Sequence, residues 1–168
     1  VCDAFILPGV GSFPVGIKKI KEKNLNELIY KLIEKEKPGL GICLGMQLLA
    51  EFSFEGGVKS EGLSLFKGSV EKINPLDESK VPHIGWTETK IAKCIEPWQM
   101  LLNNAFYYVH SYAVNPKIEK EKLATIEYGK EKYSAAIYRN KLLGVQFHPE
   151  KSQQQGLKLL NDYFIYHG

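Results

Sequence analysis

The chain of 168 residues is long enough for one domain that buries about 70% of the surface its unfolded form exposes. Hydrophobic residues make up 44% and charged residues 24%, which excludes a disordered or fibrous chain, and no apolar run approaches the roughly 20 residues of a membrane-spanning helix. The net charge of +3 rests almost entirely on lysine, with Arg139 the only arginine, which argues against a nucleic-acid binder built on bidentate arginine contacts.

Hydropathy patterning sets out the elements in chain order. Cys2 to Leu7 is a short apolar run closed by Pro8-Gly9-Val10-Gly11, a strand followed by a turn. Ile17, Ile20, Leu25, Leu28, Ile29, Leu32 and Ile33 then recur at helical spacing, opposite a solvated Lys/Glu-rich face, until Pro38-Gly39. Leu40 to Cys43 reads as a second strand, and Leu44, Leu48 and Phe52 as a second helical stripe. This alternation predicts an α/β fold with a mostly parallel central sheet and helices on both faces. Residues 63–73, 81–86, 105–114, 123–128, 133–138 and 142–147 all read as strands, which adds an antiparallel patch. A last helix over 153–166 carries Leu157, Leu160 and Phe164 on one side. No repeat or linker divides the chain, so residues 1–168 are read as a single domain. It opens on what resembles a strand interior rather than a secretory leader, which implies sequence upstream of Val1.

Cys2, Cys43 and Cys94 are odd in number and far apart, with no C-x-x-C pair. Neither a disulfide framework nor a zinc site is expected, and a reducing, cytoplasmic setting fits. No P-loop and no metal-ligand cluster is present, so no cofactor is expected.

Gly41-Ile42-Cys43-Leu44-Gly45 sets a cysteine between two glycines where a strand meets a helix, the cysteine form of a nucleophile elbow. A sharp turn of this kind crowds the flanking Cβ positions, and glycine removes them. The following helix would favour thiolate, and the Leu44 N–H would face an oxyanion. By itself the elbow leaves open both a nucleophile and an inert core cysteine; a partner base decides. Phe147-His148-Pro149-Glu150 supplies one. In an extended chain His148 and Glu150 project to the same side, so the carboxylate can fix the imidazole tautomer and leave the other nitrogen to take a thiol proton. His83, His110 and His167 lack such a neighbour and are read as non-catalytic.

These blocks together resemble the class I (triad) glutamine amidotransferases: Gly41 to Gln47, Leu7 to Gly11 and Gln146 to Glu150, in that order along nearly the whole chain. Within the class, Val81-Pro82-His83-Ile84-Gly85-Trp86, Tyr107 to Tyr112 and Lys151-Ser152 are most similar to the glutaminase subunits of imidazole glycerol phosphate synthases. The resemblance implies an enzyme that hydrolyses the side-chain amide of L-glutamine to glutamate and ammonia through a thioester on Cys43, with His148 as acid and base and Glu150 orienting it. It implies an oxyanion hole of the Val10 and Leu44 amides, and a glutamine pocket involving Gly9, Gly11, Gln47, Glu55, His110, Ser111 and Tyr112. It implies a (β/α)8 barrel cyclase as heterodimer partner, met through Ile84, Trp86, Tyr108 and Lys151, and a place in histidine biosynthesis. A covered route for ammonia makes sense, because ammonium formed in water has no lone pair for attack. Two features depart from the family. Its usual N-terminal strand and helix would lie upstream of Cys2, and Thr87 stands where Asn commonly follows the tryptophan. The residues leave room for alternatives: a sugar amidotransferase or other ammonia acceptor, or a stand-alone γ-glutamyl hydrolase.

Overall fold

The computed structural model describes residues 2–92 and 102–167; Cys94 lies outside the described residues. Strand β1 (Phe5–Gly9) leads into helices α1 (Phe13–Glu22) and α2 (Leu25–Glu34), followed by β2 (Gly39–Cys43) and the short helix α3 (Leu44–Leu48). Six strands come next: β3 (Phe52–Ser53), β4 (Ser60–Glu61), β5 (Gly68–Lys72), β6 (His83–Glu88), β7 (Lys90–Ile91) and β8 (Ala105–His110). The chain continues through β9 (Tyr112–Pro116), β10 (Lys122–Tyr128), β11 (Glu131–Arg139), β12 (Leu142–Val145) and helix α4 (Gln153–His167).

The main sheet has six strands in the order β1-β2-β12-β11-β10-β7. β2 pairs in parallel with both β1 and β12, and the other three ladders are antiparallel, so four of the six strands run the same way. The parallel part and the antiparallel patch are therefore one continuous sheet. Along β2 and β12, alternate residues face opposite sides. Leu40, Ile42, Leu143 and Val145 pack with Leu159 and Tyr163 of α4 on one face, while Leu142 packs with Phe13, Ile17, Ile29, Leu44 and Met46 of α1 to α3 on the other. Helices thus cover both faces.

Several elements differ from the sequence reading, each for a local reason. The long helical stripe is two helices, broken at Asn24, which sits at φ 54°, a left-handed conformation that asparagine tolerates better than most residues. Leu25 and Leu28 are exposed, and Ile17, Ile20, Ile29 and Leu32 form the buried stripe. α3 stops after five residues, and Phe52 belongs to β3 instead. On α4 the buried side carries Gly156, Leu159 and Tyr163, whereas Leu157 is 62% exposed. The apolar run at 105–114 divides into β8 and β9, which join different sheets. β8 pairs with β6 as a two-stranded ribbon, and β9 closes a small sheet of order β4-β3-β5-β9.

Candidate active site

Cys43 ends strand β2 and caps α3 with φ 52° and ψ −111°, a backbone state that costs a non-glycine residue on the order of 1–3 kcal/mol. The neighbouring glycines make the turn possible. A Cβ on Gly41 would lie 2.9 Å from the backbone of Met46, and one on Gly45 would run into the carbonyl oxygen of Leu7. Burial dominates the chemistry of the thiol. It pushes the Cys43 pKa up to about 11, against a smaller lowering from the Leu44 amide. The expected bias toward thiolate is therefore corrected: a five-residue helix end does not offset the desolvation of a buried sulfur. The Sγ donates to the carbonyl of Val109 at 3.8 Å and accepts from Gln146 Nε2 at 3.7 Å.

β12 runs beside β2 in parallel, pairing Val145 with Ile42, so the chain leaves β12 at the same sheet edge where β2 ends at Cys43. His148 is buried, and its amide donates to the carbonyl of Tyr107, two residues from the Val109 carbonyl that holds Sγ. Its Nδ1 lies 2.6 Å from Glu150 Oε1, which leaves Nε2 buried with no hydrogen-bond partner among the described residues. The two side chains converge by a different route from the extended chain expected: Pro149–Lys151 is a single 3-10 turn that folds Glu150 back. An imidazole with Nδ1–H held by a carboxylate presents an accepting Nε2, as a general base requires.

A cavity of about 340 Å³ opens over Cys43, lined by Val10, Gly11, Leu44, Gln47, Glu55, Pro82, Val109, His110, Ser111 and Tyr112. Gly9 is paired across the ladder from Cys43, with Leu44 Cβ only 3.2 Å from where a Cβ would stand, and so it sets the approach of the loop rather than lining the cavity. Gln47 Nε2 donates to the carbonyl of Tyr112 at 2.8 Å and to Gln146 Oε1 at 3.0 Å, so both its amide hydrogens are engaged and Oε1 remains. Glu55 Oε2 accepts the Phe13 amide at 2.7 Å, capping α1 from the cavity wall. Pro82, Val109 and Gln146 belong to the motifs that carry the resemblance but were assigned no part in the site from sequence. Gln146 could have been suspected because it lies two residues before His148, but its reach to Sγ depends on the pairing of β2 with β12.

His83 and His110 face each other across the β6–β8 ribbon. Burial holds both near pKa 4, below their ordinary 6.5, and for His110 it outweighs the opposite effect of the bond to the Tyr112 carbonyl. The consequence for stability has a definite sign. Above about pH 6.5 both histidines are neutral folded and unfolded, and their contribution is constant. Between pH 6.5 and 4 only the unfolded chain takes up protons, so stability is expected to fall by up to about 1.4 kcal/mol per pH unit for each histidine. Urea midpoints measured between pH 7 and pH 5, above the range of the carboxylates, check this; a flat profile would contradict it.

Of the expected partner-facing residues, Ile84 is 59% and Trp86 46% exposed, and Lys151 is also exposed, its Nζ 6.0 Å from the ring centre of Tyr107. Tyr108 is corrected: it is fully buried and stacked on His83. Strand alternation puts Tyr107, half-buried against Trp86, on the outer side instead. Among the described residues no cluster of His, Cys, Asp or Glu is gathered to hold a metal ion, and no helix is long and apolar enough to cross a membrane.

Comparison with known proteins gives concordant results. A family profile described as Glutamine amidotransferase class-I matches residues 2–166. The chain is 46% identical over 162 residues to the imidazole glycerol phosphate synthase subunit HisH of Caldanaerobacter subterraneus subsp. tengcongensis, covering 96% of this chain and 78% of that protein. It is 45% identical over 162 residues to the subunit of the same name from Aquifex aeolicus, covering 96% and 76%. Among solved structures, PurLQS from Thermotoga maritima has a TM-score of 0.72 at 18% identity, covering 99% of this chain and 80% of that one. A structure described as a glutamine amidotransferase has a TM-score of 0.67 at 20% identity, covering 98% and 78%. At such identities these structures speak to the fold alone.

Proposed function

The chain belongs to the class I glutamine amidotransferases, and from that premise we propose that it is the glutaminase subunit of an imidazole glycerol phosphate synthase, acting in histidine biosynthesis and passing ammonia to a (β/α)8 barrel cyclase. The observation that carries the chemistry is a cysteine on a strained elbow, opening into a cavity, with a carboxylate-held imidazole at the same sheet edge. Glutamine enters with its side-chain amide at Sγ, and the Gln47 Oε1 and the Glu55 carboxylate take its α-ammonium. His148 Nε2 accepts the thiol proton as the S–C bond forms, and the amides of Leu44 and Val10 stabilise the oxyanion. The C–N bond then breaks, His148 returns the proton to nitrogen, and ammonia departs. Water, giving a proton to His148, attacks the thioester; glutamate leaves and the thiol is restored. Because the resting thiol is protonated, it has to leave the Val109 carbonyl before its proton reaches His148.

Ile84, Trp86 and Lys151 are the proposed contacts with the cyclase, beside Tyr107. The test is glutamate release and cyclisation by the chain mixed with the barrel subunit, with glutamine as the only nitrogen source. Both are expected. Hydrolysis without cyclisation would point to another ammonia acceptor, and no hydrolysis under any condition would overturn the reading.

A further inference from the structure

The glutamine cavity is walled by His110, Ser111 and Tyr112, and behind that wall lies a buried histidine, His83, that the reaction does not use. Its contacts form an unbroken series. Thr87 Oγ1 is 2.8 Å from His83 Nε2, His83 Nδ1 is 3.1 Å from His110 Nε2, and His110 Nδ1 is 2.9 Å from the carbonyl oxygen of Tyr112.

One end of this series fixes the direction of every bond in it. A carbonyl oxygen only accepts, so His110 Nδ1 carries the hydrogen. Burial keeps His110 neutral, so its Nε2 has a lone pair and must accept from His83 Nδ1. His83 is neutral as well, so its Nε2 accepts in turn, and the Thr87 hydroxyl donates. The placement is enforced by packing. The His83 ring lies between those of Tyr108 and Tyr128, with centroids 5.2 and 4.1 Å away. A straight strand would hold residues four apart at about 13 Å; Gly85 between His83 and Thr87 adopts φ 141°, a conformation open to glycine, where the strand departs from regular geometry.

The same Tyr112 carbonyl accepts Gln47 Nε2, and Gln47 in turn donates to Gln146, which donates to the sulfur of Cys43. Were His110 to take the other tautomer, a lone pair would face the Tyr112 oxygen, and repulsion would displace the wall to which Gln47 is tied. Resting on the glutaminase reading, we propose that His83 is a positioning residue for glutamine: held by Thr87, it locks His110 in the Nδ1–H tautomer that anchors the Tyr112 carbonyl and, through it, Gln47.

The tautomers are read directly from two-bond proton–nitrogen spectra of the full chain labelled with ¹⁵N-histidine. His83 and His110 are both expected to carry hydrogen on Nδ1, and a hydrogen on His110 Nε2 overturns the proposal. Kinetics follow in the complex with the cyclase. His83→Phe fills the space between the two tyrosines but leaves His110 Nε2 without a donor. It is expected to raise KM for glutamine about tenfold with kcat within about threefold. Thr87→Val is expected to raise KM about threefold, and Thr87→Ser to restore it. A folded His83→Phe protein with unchanged KM, or Val and Ser variants that behave alike, overturns the proposal. If His83→Phe does not unfold cooperatively, the Thr87 pair and the wild-type spectrum decide. Wild-type complex that hydrolyses no glutamine overturns the glutaminase reading itself, a result distinct from an unchanged KM in active variants.

Discussion

Replacing Cys43 with alanine is expected to lower glutamine hydrolysis by about 10⁴-fold or more, while urea unfolding shifts by no more than about 2 kcal/mol. The two effects separate because the residue has two independent roles. As a nucleophile it is indispensable: Sγ stands at the end of β2 in the cavity, and alanine has no atom in its place. As a structural element it is small, and alanine at φ 52° carries the same backbone strain as cysteine. Glutamate release by the complex measures the first role and the urea midpoint the second. Retained hydrolysis in the folded variant would end the thioester mechanism.

Removing the imidazole should be nearly as damaging, and it should leave a signature in pH. With its pKa at about 11, only about one Cys43 thiol in 10⁴ is ionised at pH 7 without a base to take the proton. His148→Ala is therefore expected to lose about 10³- to 10⁴-fold in kcat at pH 7, and to regain about tenfold per pH unit up to pH 9 as hydroxide does what Nε2 had done. Wild type, with its own base, should show no such climb. The double variant Cys43→Ala, His148→Ala is expected to be no worse than Cys43→Ala alone, because the two act as one unit. Steady-state pH profiles of wild type, both single variants and the double variant check this. A flat profile for His148→Ala would mean that His148 is not the base that ionises the thiol.

Pieces of the site were legible because they are local in sequence. The glycines at 41 and 45 announce a turn too tight for side chains, and the clashes of a Cβ with Met46 and Leu7 bear out that physical reason. His148 and Glu150 are two residues apart, near enough for any compact backbone to bring them together, and so the pairing was readable even though a 3-10 turn rather than an extended strand produces it. Period-two and helical patterning gave the α/β order. It misplaced the break at Asn24, the end of α3 and the buried side of α4, where backbone conformation or packing outweighs hydropathy. The family resemblance, not the patterning, put Tyr108 at the partner-facing surface, one position out of phase with the outer side of β8, where Tyr107 stands.

What the sequence determined alone is thus the chemistry available and the order of strands and helices, since each follows from residues within a turn of one another. Tertiary structure decided the rest. The pairing of β2 with β12 brings residues about a hundred positions apart to one edge, and the antiparallel pairing of β6 with β8 brings His83 to His110. Burial then sets the charge of the thiol and of both imidazoles. Desolvation depends on every neighbour in space, and no spacing along the chain encodes it.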